Sequence, residues 1–358
     1  MDRGERMKQI KVLHVLTSDR YSGAENVACQ IIHGFEQEPS YQLVYCSPDG
    51  PIRKALEEQQ VPFAAMQKWS LPELKRVIRE QKPDIIHAHD MKASLFSALV
   101  CGSIPMVSHI HNNSYDSQKV TVKAVLYRYA ARKAKHIFWV SHAAMEGYCY
   151  AAQFAPKSSV LYNVIDAEQL RGKASHAENK DVYDIVYLGR MTYPKNPQRL
   201  VGVLEQLVKQ CPEVRVAMIG AGELEKETTE LIRAKHLEQQ VKMLGFMSNP
   251  YAILEHAKAM VMTSRWEGLP MCSLEAMALG VPIVSTPTDG LKELIREGEN
   301  GFLSDDDAVL AQKLAEMVQN SSLQTKMSEN CRMYAEKTLN IRAYVRTIRA
   351  EYEACLKR

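Results

Sequence analysis

The sequence lacks every cysteine pattern that would fix a fold through disulfides or a metal cluster. Its eight cysteines are spread along 358 residues, and no C-x-x-C pair occurs among them. Disulfide-stapled secreted domains and zinc-ribbon proteins both need close, paired cysteines. The chain is therefore expected to keep free thiols in a reducing cytoplasm.

Long apolar runs are also missing. The longest uncharged run, Ala93–Ser108, contains Gly102 and Pro105 and is too short to cross a hydrocarbon layer of about 30 Å. The apolar segment Ile10–Leu16 runs into a polar turn without the small-residue cleavage site of a secretory signal. We expect a cytoplasmic protein, for which peripheral contact with the inner face of a membrane stays open.

A third absence concerns the glycine-rich fingerprint of dinucleotide-binding enzymes, which needs the spacing G-x-G-x-x-G. The turn after the first predicted strand has only Gly23, and the segment that begins Gly220-Ala221-Gly222 has Glu225 where the third glycine belongs. Redox chemistry with a nicotinamide cofactor is therefore not expected.

Charge is small in total but unevenly distributed. The net charge of +3 does not indicate a nucleic-acid partner. Residues 1–165 carry 20 Lys/Arg against 15 Asp/Glu, whereas residues 166–358 carry 25 against 27. The first half is the one expected to meet an anionic surface.

What the sequence does contain is a repeated alternation of apolar strands and helical segments, which predicts α/β architecture with parallel sheets. The alternation pauses in a polar stretch at 167–181, the best linker candidate, and then restarts. We predict two tandem Rossmann-like domains, 1–166 and 167–340, that face each other across a deep ligand-binding cleft. The predicted strands are 10–18, 42–47, 84–90, 105–112 and 136–141, then 184–190, 214–220, 241–245, 259–264 and 282–286.

Polar side chains follow many of these strands, at the carboxyl ends where open parallel sheets bind ligands. Any one of them would be unremarkable, but a histidine or cation after strand upon strand is not expected from structural roles alone. The candidates are Ser22, Gly23, Ala24, His87, His89, His109, His111 and Asn112 in the first half, and Arg190, Lys195, Gly220, Phe246 and Met247 in the second.

The pairs His87/His89 and His109/His111 have two interpretations. H-x-H at a strand end supplies metal ligands in barrel metallohydrolases, but those sites need further ligands at later strand ends, which the second half does not offer. Residues i and i+2 of a strand share a face, so each pair can also line a polar cleft without metal. We expect no metal.

Two carboxylates, Glu267 and Glu275, lie eight residues apart in S-R-W-E-G-L-P-M-C-S-L-E-A-M. Gly268 and Pro270 prevent a smooth helix, so Glu267 falls in a loop and Glu275 in the first turns of a helix over 272–280. Eight helical steps would separate them by about 12 Å, whereas a glycosidase acid pair lies roughly 5–9.5 Å apart. The pair is better explained as two binding residues that contact different parts of one long ligand.

Arg190 and Lys195 bracket a loop after a predicted strand. Taken alone, both are better explained as solvated loop cations. Opposite two carboxylates and a helix N-terminus, however, they suit a diphosphate, because charge-assisted hydrogen bonds hold such a group. Sugar hydroxyls, ribose and diphosphate together describe a nucleotide sugar.

These residues resemble the retaining glycosyltransferases of family 4, which have the two-domain GT-B fold. The resemblance covers nearly the whole chain. It runs through SGAENVA (22–28), DIIHAHD (84–90), HIHN (109–112), YLGRMTYPKNP (187–197) and IGAGEL (219–224). The most specific match is the E-x7-E block that starts at Glu267 and continues to 303.

The resemblance implies a role for each matched residue. Glu267 would face the hydroxyls of the transferred sugar, and Glu275 those of the ribose. Arg190 and Lys195 would bind the diphosphate, and His111 would lie near the reacting face of the sugar. The remaining donor contacts would be Gly268, Leu269, Pro270, Met271, Phe246, Met247 and Gly220, and the phosphate and acceptor contacts Ser22, Gly23, Ala24, His89 and Asn112.

The family also implies metal-independent chemistry without a protein general base, no cofactor, and a C-terminal helix, 341–358, that crosses back to the first domain. Three positions depart from the family pattern in the loops near the diphosphate and acceptor. Val164, Asn196 and Asp289 stand where glycine is usual.

One segment of the first half, 117–135, has basic residues interleaved with apolar ones. No acidic residue occurs between Asp116 and Glu146. A basic amphipathic helix can lie on an anionic lipid surface. An ordinary surface helix whose apolar side packs on the sheet would give the same pattern.

The expected function is transfer of a sugar from a nucleotide sugar, with UDP as the nucleotide, to a polysaccharide, glycolipid or lipid-linked acceptor in surface polysaccharide synthesis. Two alternatives stay open, a GT-B-shaped epimerase or phosphorylase and a catalytically inactive binding subunit. Intact Glu267, Arg190 and Lys195 favour turnover, because an inactive site has no need of all three.

Overall fold

The computed structural model describes residues 9–112, 115–176 and 181–357. By its contacts the chain divides into two compact units. The first unit comprises Met1–Val164 together with Ile341–Arg358, and the second unit comprises Ile165–Asn340.

The strands and helices alternate along the chain. The strands are β1 Ile10–Val15, β2 Tyr41–Cys46, β3 Ile85–His89, β4 Met106–Ile110, β5 His136–Trp139, β6 Ser158–Val160, β7 Ile185–Leu188, β8 Val216–Ile219, β9 Val241–Gly245, β10 Ala259–Met262, β11 Ile283–Ser285 and β12 Gly301–Leu303. The helices are α1 Gly23–Gly34, α2 Ile52–Glu58, α3 Leu71–Gln81, α4 Asp90–Val100, α5 Tyr115–Gln118, α6 Val122–Lys133, α7 His142–Glu146, α8 Ala151–Phe154, α9 Ala167–Ser175, α10 Pro197–Gln210, α11 Glu225–Ala234, α12 Tyr251–Glu255, α13 Met271–Leu279, α14 Asp289–Leu294, α15 Asp307–Gln319, α16 Ser321–Thr338 and α17 Ile341–Lys357.

Each unit is built on one parallel sheet, six-stranded within the described residues. The orders are β2-β1-β3-β4-β5-β6 in the first unit and β12-β11-β10-β7-β8-β9 in the second. The inner strands β3, β4, β8 and β10 are buried along their whole length, as expected where helices cover both faces of a sheet.

Strand order reverses beside β1 in the first sheet and beside β7 in the second. At such a switch point the connections leave in opposite directions and open a crevice at the carboxyl ends of the neighbouring strands. The crevices fall between β1 and β3 and between β7 and β10. The loops that follow these four strands are therefore the first places to look for a ligand site.

Two stretches of chain connect or complete the units. The polar stretch suggested as a linker begins instead with α9, because the Asp166 side chain accepts hydrogen bonds from the backbone N–H groups of Glu168 and Gln169. Residues 177–180 of that stretch lie outside the described residues. The last helix, α17, packs on the first unit and buries Tyr352 completely. Among the described residues, no helix combines the length and apolar composition needed to cross a membrane.

Candidate functional site

A buried ion pair joins the two loops at the switch point of the second unit. Lys195, in the loop after β7, places its Nζ 2.5 Å from Glu267 Oε1, in the loop after β10. The Ser264 hydroxyl donates a second hydrogen bond to the same carboxylate oxygen, at 2.6 Å. The Lys195 and Glu267 side chains are only 14% and 10% exposed, so the loops hold a charged pair largely out of water.

The charge state of Lys195 follows from two opposing effects. Burial by itself lowers the pKa of the ammonium, but the charge of Glu267 and the hydrogen bond to it raise that pKa above its usual value. The ammonium therefore stays charged at every physiological pH. An anionic ligand that enters this site meets a preformed cation.

Asn196 explains how the Lys195 loop keeps its shape without the usual glycine. Its backbone is left-handed (φ 55°), a conformation that asparagine tolerates better than most residues. Its side-chain Oδ1 accepts a hydrogen bond from Arg265 Nη2 at 2.9 Å, and its carbonyl accepts from the Thr263 hydroxyl at 3.1 Å. Asn196 therefore ties the β7 loop to the β10 loop.

Helix α13 starts directly after the Glu267 loop. Pro270 precedes it and no side chain caps it, so its first N–H groups are available to an anion. Glu275 lies buried in this helix and accepts a hydrogen bond from the Tyr251 hydroxyl at 3.2 Å. A Cβ atom on Gly290 would lie 1.4 Å from the carbonyl oxygen of Gly268. Helix α14 therefore packs closely against the Gly268–Met271 loop and restrains its position.

Arg190 occupies the exposed rim of the same region. Its guanidinium has no acidic partner among the described residues, and its carbonyl accepts a hydrogen bond from the Tyr187 hydroxyl at 2.9 Å. Gly220 packs against this loop, since a Cβ there would lie 1.9 Å from the Gly189 carbonyl oxygen. The glycine is thus required by backbone packing, whatever else it contacts. Phe246 follows β9 with 69% of its surface exposed, and Met247 next to it is half-buried.

In the first unit, five histidines gather at the ends of β1, β3 and β4. They are His14, His87, His89, His109 and His111, with neighbouring ring centroids 4.2 to 5.6 Å apart. All are buried, which lowers the pKa of His14 to about 3 and lowers the pKa of the others as well. The histidine cluster is therefore uncharged at neutral pH.

The histidine cluster bears on the metal question. The trios His14/His87/His89 and His89/His109/His111 each bring ring nitrogens within 4.8 Å of one another. Four of those nitrogens, however, are already paired, because His14 Nδ1 bonds His89 Nε2 at 3.0 Å and His89 Nδ1 bonds His111 Nε2 at 2.8 Å. Three rings thus bond one another, whereas both ring nitrogens of His109, His87 Nε2 and His111 Nδ1 are buried without a partner among the described residues.

The remaining candidates of the first unit surround the start of α1 and the end of β4. Ser22 precedes α1 and donates to the Glu25 carboxylate at 2.5 Å. Apart from its chain neighbours and the backbone of α1, no described residue has an atom within 4 Å of a Cβ built on Gly23. Gly23 therefore leaves open space beside the helix N-terminus. Ala24 is half-buried, and Asn112 is exposed beyond β4.

Sequence reasoning missed four residues that the structure joins to these sites. Ser264 lies three residues before Glu267, a spacing that could have suggested a loop hydrogen bond. Tyr251 and His14 gave no local signal, because their partners are 24 and 75 residues away. Tyr352, which bonds the histidine cluster from α17, is more distant still.

Two family models match consecutive parts of the chain. Residues 21–169 match the model described as glycosyltransferase family 4, and residues 169–336 match glycosyl transferases group 1. Together they cover both units except the two ends of the chain.

Curated relatives are similar over different shares of their lengths. The chain is 24% identical to the Escherichia coli UDP-Gal:alpha-D-GlcNAc-diphosphoundecaprenol alpha-1,3-galactosyltransferase, over 93% of this chain and 94% of that protein. It is 26% identical to an uncharacterized glycosyltransferase of Methanocaldococcus jannaschii, over 61% of this chain but only 60% of that protein.

Solved structures agree with the architecture. The crystal structure of Anabaena HepE in complex with UDP-glucose superimposes with a TM-score of 0.83 at 21% identity, over 97% of this chain and 100% of that one. The predicted family and the predicted GT-B class are confirmed. This chain belongs to the group 1 and family 4 glycosyltransferases and has their GT-B fold.

Proposed function

We propose that the protein transfers a hexose from a UDP-sugar to a saccharide or lipid-linked saccharide acceptor in surface polysaccharide synthesis, with retention at the anomeric carbon and without a metal. The observation that carries this proposal is the buried Lys195–Glu267 pair beside the open N-terminus of α13. The choice of UDP and of the acceptor class is supported by the E. coli galactosyltransferase and by the UDP-glucose complex of HepE.

On the donor side, the diphosphate competes with Glu267 for the Lys195 ammonium. The carboxylate then becomes available to accept hydrogen bonds from sugar hydroxyls. Arg190 and Lys195 supply the positive charge that a metal would otherwise bring to the leaving diphosphate. Glu275, oriented by Tyr251, accepts from the ribose hydroxyls. The backbone of Gly268–Met271 contacts sugar and phosphate, and Gly220, Phe246 and Met247 lie toward the base.

Residues 1–166 take the acceptor, and residues 167–340 take the donor. We assign the reacting face of the sugar to His111, which as a neutral imidazole offers hydrogen bonds without net charge. Ser22, Gly23, Ala24, His89 and Asn112 serve the phosphate and the acceptor. In the transfer, the bond from the anomeric carbon to the β-phosphate oxygen breaks and leaves its electron pair on that oxygen. The acceptor oxygen bonds the same carbon on the same face, and its proton passes to the leaving phosphate, so no protein base is needed.

Calorimetric titration with UDP, GDP and ADP tests the donor site. We expect UDP to bind and Lys195→Ala to weaken it strongly, because the ammonium contacts the diphosphate. Lys258→Ala is the matched control. Lys258 pairs with Asp184 at 2.8 Å in the same unit but precedes β10, at the opposite edge of the sheet. Failure of all three nucleotides to bind would contradict the proposal.

Transfer assays with UDP-hexoses test the reaction itself. The product should keep the anomeric configuration of the donor, as read from the proton coupling at the anomeric carbon, and activity should survive chelation by EDTA. An inverted product or loss of activity on chelation would refute the retaining or the metal-free chemistry separately. An epimerised nucleotide sugar without transfer would replace the proposal by the epimerase alternative.

Helix α6 supports contact with an anionic membrane. Its buried face consists of Ala124, Tyr127, Ala130 and Ala131. Its larger apolar side chains point outward instead, with Val122 78% exposed and Val125 and Leu126 46% exposed. Packing on the sheet therefore does not explain them. Val120, Tyr129, Lys119, Lys123, Arg132 and Lys133 extend the same exposed surface.

Sedimentation with lipid vesicles tests this surface. We expect binding to vesicles that contain phosphatidylglycerol and not to pure phosphatidylcholine, since both the apolar and the basic residues contribute. Val122→Ser with Leu126→Ser should abolish it. Leu99→Ser, at another exposed leucine of the first unit, is the control. Equal binding by the variant and the wild type would reject α6 as the contact.

A further inference from the structure

The histidine cluster contains one continuous hydrogen-bonded chain that ends on α17. His111 Nε2 lies 2.8 Å from His89 Nδ1, and His89 Nε2 lies 3.0 Å from His14 Nδ1. His14 Nε2 lies 3.4 Å from the Tyr352 hydroxyl, which lies 2.6 Å from His87 Nδ1. All five side chains are at most 6% exposed. The proposed reacting-face residue is thus connected through the core to the C-terminal helix.

Counting protons limits how this chain can be arranged. Each neutral imidazole carries one N–H and the phenol one O–H, so five groups share four contacts. If the Tyr352 hydroxyl donates to one of its two histidine neighbours, all four contacts become hydrogen bonds in only two ways. Either every group donates toward His87, or every group donates toward His111. Reversing one of the two inner imidazoles, His14 or His89, would leave one contact with two lone pairs and another with two protons.

The two ends of the chain decide between these arrangements. Neither His87 Nε2 nor His111 Nδ1 has a partner among the described residues, so one end must carry an unpartnered N–H and the other an unpartnered lone pair. A buried N–H without a partner is rarer than a buried acceptor without one. His87 is fully buried, whereas His111 is 6% exposed and its backbone N–H donates to the Asp90 carboxylate at 3.1 Å. Both end nitrogens are buried, so the negative charge of Asp90 decides, and it favours the N–H at His111.

We propose that Tyr352, acting through His14 and His89, is a positioning residue for His111, and that the chain holds the His111 proton on Nδ1 while its Nε2 accepts from His89. Hydrogen bonds in a chain polarise one another, so each link strengthens the next. The consequence for catalysis rests on the role proposed above for His111. The placement of the proton does not, and it can be measured without substrate.

Nitrogen NMR of the protein labelled with ¹⁵N in the histidine rings tests the placement directly. We expect His14, His89 and His111 all to carry the proton on Nδ1 in the wild type, with scalar couplings across both N–H···N bonds. Tyr352→Phe should shift the ring nitrogens of His14 and, more weakly, of His111. Tyr344→Phe is the matched control, because this buried tyrosine is on the same helix and its hydroxyl has no partner among the described residues.

Kinetics of the same variants test the consequence. We expect Tyr352→Phe to lower kcat about tenfold with little change in KM, since a 1 Å misplacement of a reacting group can cost about 10²-fold and the displacement here is smaller. Tyr344→Phe should match the wild type. The wild-type spectrum suffices if Tyr352→Phe fails to fold.

Three results decide whether the inference about Tyr352 and His111 holds. Mixed tautomers among His14, His89 and His111, or ring shifts that respond to added zinc but not to Tyr352→Phe, overturn the inference. The expected tautomers with altered kcat support it fully. The expected tautomers with unchanged kcat support the chain and count against the role proposed for His111.

Discussion

Both units bury polar groups near the carboxyl ends of the strands that flank the switch point. These groups are neutral in the first unit and charged in the second. The first unit holds uncharged imidazoles that bond one another, and the second holds a charged ammonium–carboxylate pair. Burial penalises charge in both. Only in the second does a partner of opposite sign outweigh it, because Glu267 contacts Lys195 directly. The second unit can therefore compensate a charged ligand, whereas the first can orient a neutral one.

The largest expected effect comes from removing the charge of Glu267. Glu267→Gln keeps the shape of the side chain, and we expect kcat/KM to fall about 10³-fold, or about 4 kcal/mol, because the carboxylate contact matters most in the transition state. His111→Gln should cost less, since it removes no charge. Glu316→Gln, in an ion pair with Lys313 on α15, is the control. If His111→Gln lowered kcat/KM more than Glu267→Gln, the contrast drawn between the charged and the neutral unit would be wrong.

The free energy of unfolding should depend more on the buried ion pair of Lys195 than on the more exposed ion pair of Lys258. Lys195→Met leaves Glu267 buried without its cation, which typically costs about 3–5 kcal/mol. Lys258→Met removes one partner of a pair whose lysine is 41% exposed, and it should change the unfolding free energy far less. Urea unfolding of the two variants measures the difference. Equal losses would mean that water reaches both pairs alike.

Acid should weaken the first unit selectively. In the folded protein the pKa values of His14, His87 and His89 lie below the ordinary 6.5. Below pH 6.5 these histidines are therefore protonated in the unfolded chain but stay neutral in the folded protein. The unfolding free energy then falls by about 1.4 kcal/mol per pH unit for each such imidazole, and for His14 down to about pH 3. Above pH 6.5 this contribution is constant. Among the described residues, His14 contacts His87, His89 and Tyr352 and no carboxylate, while Asp90 opposes the effect at His111.

Hydrogen exchange at pH 7 and pH 5 measures this difference, because it resolves the two units of one chain. Strands β1 and β3 should lose protection at pH 5, and β7 and β10 should keep theirs. A uniform loss across both sheets would contradict an origin in the histidine cluster.

The smallest effect is expected at the surface of α17. Arg349 pairs with Glu38 at 2.9 Å, but the two side chains are 38% and 27% exposed, so water screens part of their attraction. Arg349→Ala should leave the melting temperature close to that of the wild type. A clear drop would show that this pair, rather than buried Tyr352, holds α17 in place.

Much of this architecture could be predicted from the sequence, because strand alternation and residues just past apolar runs are local signals. The strand predicted over 184–190, for example, contains the observed β7, and Arg190 at its predicted end follows β7. The helix predicted over 272–280 is observed at Met271–Leu279.

Contacts between distant residues could not be predicted in the same way. The H-x-H pairs were visible, but His14 looked like one more residue of a buried strand, and its bond to Tyr352 spans 338 residues. The orientation of α6 was also undecided, because alanines and valines are both apolar. Only the packed structure shows that the alanines face inward.

The return of α17 to the first unit has a consequence for how the protein is made. The ribosome releases β1 to β6 early, but Tyr352 follows only after the whole second unit, residues 165–340, has emerged. At about 5–20 residues per second this delay lasts roughly 10–35 s. The second unit is one continuous stretch of chain, so it can finish folding before α17 has emerged. Folding on the ribosome should thus run against the direction of translation, with the amino-terminal sheet finished last.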